Sequence, residues 1–234
     1  MNSQFGGSET RDGAVCPLCR NEKIQEYHRD SVREYLACTH CGLVFVPREY
    51  WLDPAAEKAE YDLHTNDPED AGYRKFLSRL TDPLLTRLSP GSRGLDFGCG
   101  PGPALAAVMA EAGHGVSLYD LYYFPDRRAL AQTYDFITAT EVVEHLKDPL
   151  GELETLFAGL NPGGWLGIMT KQVSTPEAFK NWHYIRDLTH ICFFSPSTFE
   201  YLARRFQARL LSVGNDVILF QKHSSGPAGH QHKE

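Results

Sequence analysis

The sequence predicts an α/β protein: a doubly wound, mostly parallel sheet with a small cysteine-rich segment ahead of it. Three observations carry this. From about residue 91 to 222, short apolar runs alternate with helix-like segments, the order from which parallel sheets are built. Inside that stretch, Gly94-Leu95-Asp96-Phe97-Gly98-Cys99-Gly100-Pro101-Gly102 reads as a buried strand, a glycine turn and the approach to a helix. Ahead of it stand two Cys-x-x-Cys pairs. With 234 residues and 42% hydrophobic content, the chain can bury a full single-domain core.

Residues 1–13 are polar, carry no apolar h-region of a secretory signal, and are expected to be disordered. The segment 14–48 holds Cys16-Pro17-Leu18-Cys19 and Cys38-Thr39-His40-Cys41, with 18 residues between the pairs. This is zinc-ribbon spacing, in which each knuckle offers two thiolates to one tetrahedral ion. Ile24 to Tyr27, Arg33 to Ala37 and Leu43 to Val46 read as its short strands, and Gly42 supplies freedom for the second knuckle. So small a segment has too little core to fold alone, and a structural zinc on Cys16, Cys19, Cys38 and Cys41 answers that need. Cys99 and Cys192 stand apart and read as small buried hydrophobes.

Residues 49–90 form a helical connector. A helix starts at Asp53 with Pro54 just inside it, a polar loop follows from Tyr61 to Asp67, and Asp70 to Leu88 has amphipathic spacing. The main domain, 91–222, then opens on the strand Arg93 to Phe97 and a helix from Ala104. Gly115 to Tyr119 is a strand ending at Asp120, and Asp135 to Thr140 is the next. Asp148 and Pro149 begin a helix that Asn161-Pro162-Gly163-Gly164 ends before a strand from Trp165 to Thr170. Ser195 caps a helix to Phe206, and two strands turning at Gly214-Asn215 close the sheet as an antiparallel hairpin. The tail, 223–234, is expected to be disordered.

The glycine spacing is Asp-x-Gly-x-Gly-x-Gly; the dinucleotide fingerprint would need glycine where this chain has Pro103. Asp96 to Gly102 instead resembles the first motif of the class I S-adenosylmethionine-dependent methyltransferases, and the Pro-Gly-Gly break is similar to that family too. The resemblance covers Gly91 to about Lys222 and leaves the ribbon outside it. It implies a Rossmann-like fold and S-adenosylmethionine as cofactor. Gly98, Gly100 and Gly102, with Cys99 among them, then lie under the amino-acid part of the cofactor beside Asp96, and Glu141 at its edge. Asp120, about 20 positions past the glycine turn, is placed for the ribose hydroxyls. The connector becomes a lid over the cofactor, with Tyr61, His64 and Asn66 as its candidate contacts.

One spacing departs from the family. Only 14 residues separate Asp120 from Asp135, whereas a helix and strand with their turns need roughly 20 or more. The third strand is therefore expected to be abbreviated or missing. Family adenine contacts do not carry over, and Leu121, Tyr122 and Phe124 are candidates to meet the purine face.

The second cluster is Glu141-Val142-Val143-Glu144-His145, directly after a strand, where ligands of doubly wound sheets bind. Two readings stand. In one, Glu141 and His145 cap the strand end and touch the cofactor edge, while His145 or His190 serves as general base. In the other, Glu-x-x-Glu-His resembles the metal motif of small-RNA 2'-O-methyltransferases and ubiquinone-pathway O-methyltransferases. That resemblance implies Mg or Mn on Glu141, Glu144 and His145, with His190 as a later ligand. The loop from Lys171 to Phe194 is dense in polar and aromatic groups, so Trp182, His183, Tyr184 and Asp187, together with Tyr61 and His64, are the candidate substrate contacts.

A formal net charge of −7 argues against bulk attraction to nucleic acid or an anionic membrane, and no apolar run approaches the ~20 residues of a membrane span. A cytoplasmic enzyme is expected, methylating an oxygen, nitrogen or carbon of a small molecule. The rival class is a binding protein whose ribbon grips a partner while the larger domain is a degenerate scaffold. The intact Asp96, glycine triplet and Asp120 weigh against it.

Overall fold

The computed structural model describes residues 13–63 and 65–224. Residues 1–12, His64 and 225–234 lie outside the described residues, and so do most of the ends expected to be disordered.

The chain begins with an antiparallel hairpin, β1 (Ile24–Arg29) and β2 (Glu34–Cys38), joined by β3 (Val44–Phe45). Two helices follow. The first, α1 (Pro54–Tyr61), is started by the Asp53 carboxylate, which accepts from the amides of Ala55 and Ala56 at 2.9 and 3.0 Å. Asp70 does the same for α2 (Ala71–Leu85) through the Tyr73 amide.

The main sheet is built from β4 (Arg93–Phe97), α3 (Ala104–Glu111), β5 (Gly115–Tyr119), β6 (Tyr134–Thr140), α4 (Pro149–Ala158) and β7 (Leu160–Met169). After a short helix, α5 (Pro176–Phe179), and a two-residue strand, β8 (Cys192–Phe193), come α6 (Pro196–Arg205), β9 (Ala208–Val213) and β10 (Val217–Lys222). The strand order is β5-β4-β6-β7-β10-β9. The first four run parallel, and β10 pairs antiparallel with both β7 and β9.

Alternation along the central strands explains the layers. Phe136, Trp165, Met169, Val217 and Leu219 point to one face and pack with Leu77, Leu80 and Leu84 of α2 and Leu105 and Met109 of α3. Their neighbours Ile137, Leu166, Ile168, Ile218 and Phe220 point to the other, against Leu153 and Leu156 of α4 and Phe199 and Leu202 of α6. A strand buried on both faces reads as a nearly unbroken apolar run, as these do.

No strand lies between β5 and β6 among the described residues; residues 127–131 form a 3-10 turn begun by Asp126. The missing third strand leaves β5 at the sheet edge. Two expectations shift. The Asn161–Gly164 break is not a free turn but the irregular start of β7, paired with Tyr134 at Leu160 before the register shifts. The ribbon is also less separate than a boundary at residue 48 suggests, because β3 pairs with β8 from the far end of the chain. The quartet cysteines, Tyr35 and Phe45 share one apolar core with the α4–α6 face.

Candidate active site

The carboxyl ends of β4, β5 and β6 open into a cavity of about 640 Å³. Asp96, Phe97 and the glycine turn line one side, Tyr119 to Tyr123 a second, and Thr140 to Val142, His145, Asp187, Thr189 and His190 a third. The connector covers it with Glu57, Tyr61, Leu63, Asn66, Tyr73 and Phe76.

The glycines of the turn have a local reason. Gly100 sits at φ +66°, a left-handed conformation that side chains disfavour, and a Cβ there would lie 2.5 Å from Asn66 Nδ2. At Gly102 a Cβ would lie 2.3 Å from the Asn66 carbonyl oxygen and 2.8 Å from that of Thr65. The lid backbone therefore crosses directly over the turn.

Asp120 Oδ2 accepts from the Gly100 amide at 3.0 Å, and its Oδ1 from the amides of Tyr122 and Tyr123 at 2.8 and 3.0 Å. It ties the glycine turn to the following loop and keeps lone pairs free for a further donor, as a ligand hydroxyl would be. Asp96 is 3% exposed and accepts from the Thr138 hydroxyl at 2.9 Å. Burial pushes its carboxyl up to about 7; Thr138 works against this and the Asp120 charge adds to it.

Along the third side, Glu141 holds φ +52°, rare outside glycine, at the end of β6. The following turn buries Glu144 completely. Its Oε1 accepts from the Tyr184 hydroxyl, and its Oε2 has no hydrogen-bond partner. Burial, with the Glu141 charge, pushes the Glu144 carboxyl up to about 8. His145 Nδ1 meets the Thr189 carbonyl at 3.1 Å, and His190 Nδ1 the Tyr184 carbonyl at 2.8 Å. Each Nδ1 then donates, and His190 Nε2 faces the Asp187 carboxylate at 3.5 Å. The rings lie 4.7 Å apart, and one ligand atom each from Glu144, His145 and His190 falls within 4.8 Å of the others. An unpaired buried carboxylate oxygen beside two imidazoles fits a divalent cation. Glu141 is not part of this set.

The other site residues divide. Cys99, Leu121, Asp187 and Tyr61 line the cavity; Phe124 does not, and His64 lies outside the described residues. Trp182, His183 and Tyr184 do not line it either. Trp182 and Tyr184 lie 4.9 Å apart, tilted by 35°, in an aromatic cluster with Phe179, Phe193 and Tyr35, where the loop meets the hairpin. His183 is exposed and accepts from Lys171 Nζ at 2.7 Å. Sequence reasoning missed Glu57, which is 7% exposed and joins Lys147 Nζ (2.7 Å) to the hydroxyls of Tyr61 and Tyr122 (3.1 Å each). An acidic residue in the first turn of a helix reads as ordinary dipole compensation, so nothing marked it.

The four ribbon cysteines form a second cluster, with sulfurs within 4.8 Å of one another. Cys16 and Cys41 Sγ are 3.6 Å apart and Cys19 and Cys38 Sγ 3.4 Å, near the roughly 3.8 Å edge of a tetrahedron with 2.3 Å zinc–sulfur bonds. Hydrogen bonds among the thiols, with burial, push Cys16 and Cys41 up, and hydrogen bonds from Cys16 and Cys41 pull Cys38 down. The cluster is compatible with zinc.

Comparison with known proteins agrees with this geometry. The family model for the methyltransferase domain matches residues 70–213. The ubiquinone biosynthesis O-methyltransferase of Burkholderia ambifaria (strain MC40-6) is 30% identical over 144 residues, 51% of this chain and 57% of that protein. Its counterpart in Xanthomonas campestris pv. campestris (strain B100) is 32% identical over 114 residues, 38% of this chain and 47% of that protein. The chain thus spans about half the length of the curated relatives it matches. Among solved structures, 1,6-didemethyltoxoflavin-N1-methyltransferase of Burkholderia thailandensis, with 1,6-didemethyltoxoflavin and S-adenosylhomocysteine bound, aligns with TM-score 0.48 and 17% identity over 85% of this chain and 99% of that one. The family model covers more than half of the sequence, and the chain belongs to the methyltransferase-domain family.

Proposed function

We propose that this chain transfers the methyl group of S-adenosylmethionine to a hydroxyl oxygen of a small molecule. One observation carries the reading: the glycine turn with Asp96 and Asp120, and the pair His145 and His190, line the same cavity. The donor fits the glycine-turn side. Asp120 keeps acceptor capacity for ribose hydroxyls, and the turn brings bare main chain to the cavity wall.

Methyl transfer is an in-line displacement, so the protein aligns donor and acceptor and excludes water. Tyr61, set edge-on to the His145 ring at 5.3 Å, helps close the cavity on that side. Glu144, His145 and His190 would hold a divalent cation, which would supply a lowered pKa at the acceptor hydroxyl. In the alternative without a cation, His145, whose Nδ1 donates to the Thr189 carbonyl, would take the acceptor's proton. An oxygen acceptor agrees with the two curated relatives named above, both ubiquinone biosynthesis O-methyltransferases. At the N-terminus, Cys16, Cys19, Cys38 and Cys41 would hold a structural zinc, since all four positions are protein ligands.

Calorimetric titration with S-adenosylhomocysteine, with and without Mg, tests the reading. Micromolar binding is expected, with a response to Mg that Glu144→Ala abolishes. Absence of binding overturns the function; binding without a Mg response overturns only the cation.

A further inference from the structure

The hairpin reaches the active site through one side chain. Arg33 lies at the turn between β1 and β2, where Asp30 Oδ1 accepts from the amides of Val32 and Arg33 at 2.7 and 2.8 Å and so fixes the bend. The residue is only 2% exposed. A buried guanidinium is costly unless its donors are met, and here they are met from a distant part of the chain. Nη2 donates to the carbonyls of Ile185 and Asp187, both at 2.9 Å, and Nη1 to that of Leu188 at 3.1 Å. Nε donates at 2.9 Å to the Tyr35 hydroxyl, which donates in turn to Asp30 Oδ2 at 2.8 Å. The counter-charge is thus one hydroxyl away.

The three carbonyls belong to the loop that forms the acceptor wall. Asp187, Thr189 and His190 line the cavity, Thr189 fixes the tautomer of His145, and Asp187 Oδ1 accepts from the Thr189 amide at 2.8 Å. Arg33 touches none of the cavity itself. A planar fork of five donors can gather several carbonyls at fixed angles, which an ammonium cannot reproduce.

We propose that Arg33 is a positioning residue: through its guanidinium the cysteine hairpin holds loop 185–190 in the conformation that presents Asp187, Thr189 and His190 to the acceptor. The inference rests on the reading of that wall as the acceptor side. It makes the hairpin a working part of the active site rather than an appended module. The quartet enters the same chain of contacts, because Cys38 ends the strand that Arg33 leads into.

The test uses the full chain with Arg33→Met, Arg33→Lys and the milder Tyr35→Phe. Hydrogen exchange is read at the amides of Thr189, His190 and Ile191, which bond within the loop or to Glu144, and S-adenosylhomocysteine affinity is measured alongside. In Arg33→Met, exchange at these amides should accelerate about tenfold or more, as for loss of hydrogen bonds to a charged group. The ring-nitrogen resonances of His145 and His190 should shift, while affinity for S-adenosylhomocysteine stays within about twofold of wild type. Arg33→Lys should fall between, and Tyr35→Phe should show a smaller change of the same pattern. Unchanged exchange at residues 189–191 overturns the proposal. So does acceleration spread over the whole sheet with a parallel loss of affinity, which marks a fold defect. A wild-type chain that does not bind S-adenosylhomocysteine removes the methyl-transfer reading, and the exchange pattern still decides whether Arg33 holds the loop.

Discussion

Asp96 and Asp120 close two neighbouring parallel strands, and the fold treats their carboxylates in opposite ways. Asp96 is sealed under the glycine turn with one hydroxyl for company, whereas Asp120 is half-buried and receives three main-chain amides. The negative charge of Asp120 is one of the causes that hold Asp96 toward its neutral form. One carboxylate is hydrogen-bonded to main-chain amides at the cavity wall, and burial holds the other toward its neutral form.

Asp120→Ala should weaken binding of S-adenosylhomocysteine by about 1–3 kcal/mol, through the lost ribose acceptor and the loosened turn. Calorimetry reads this directly. Unchanged affinity would remove Asp120 from the donor site.

Asp96 makes stability depend on pH. Its carboxyl titrates at about 7 in the folded chain and near 3.9 when unfolded. Below pH ~4 it is neutral in both states; between ~4 and ~7 the unfolded state alone gives up the proton, so stability falls as pH rises. Asp96→Asn removes that slope. Its stability relative to wild type should rise by roughly 2–4 kcal/mol between pH 5 and pH 8, at about 1.4 kcal/mol per unit. Urea unfolding at the two pH values, without cofactor, measures it; a constant difference would contradict the assignment.

Gly102→Ala would push a methyl group to within 2.3 Å of the Asn66 carbonyl oxygen. Main chain has to move, at a cost of about 1–3 kcal/mol. The expected signature is faster proteolysis around residues 62–67 together with weaker S-adenosylhomocysteine binding. A variant cleaved like wild type would mean that the lid does not depend on this crossing.

Metal analysis of the purified chain should return about one zinc per molecule, bound through thiolates. Chelation should lower the Tm, since so small a hairpin has little core of its own. A stripped protein with unchanged Tm would show that the quartet contributes no metal-linked stability.

Much of this architecture was legible because its signals are local. The cysteine pairs, the caps at Asp53, Asp70, Asp148 and Ser195, and the alternating runs of β6, β7 and β10 are each written within a few residues. The shortened stretch after Asp120 announced the missing strand by length alone. Other features depend on partners far along the chain. Trp182 and Tyr184 look the same in sequence whether an aromatic loop faces a cavity or a neighbouring hairpin, and the answer lies with Phe179, Phe193 and Tyr35. Nothing near Arg33 in the sequence marks it until the carbonyls it gathers are placed beside it. Within the Glu141–His145 string, spacing does not say which carboxylate turns inward. The left-handed backbone at Glu141 sets it apart, and Glu144 takes the buried place beside the imidazoles.

The pairing of β3 with β8 has a consequence for biosynthesis. Val44 meets Phe193 across about 150 residues of intervening chain. All four cysteines of the quartet have been translated by residue 41, yet the sheet they anchor lacks its last strand until residue 193 has left the ribosome. During that interval the nascent hairpin offers an open edge at β3, the feature through which strands recruit wrong neighbours. The hairpin is thus made long before it is completed.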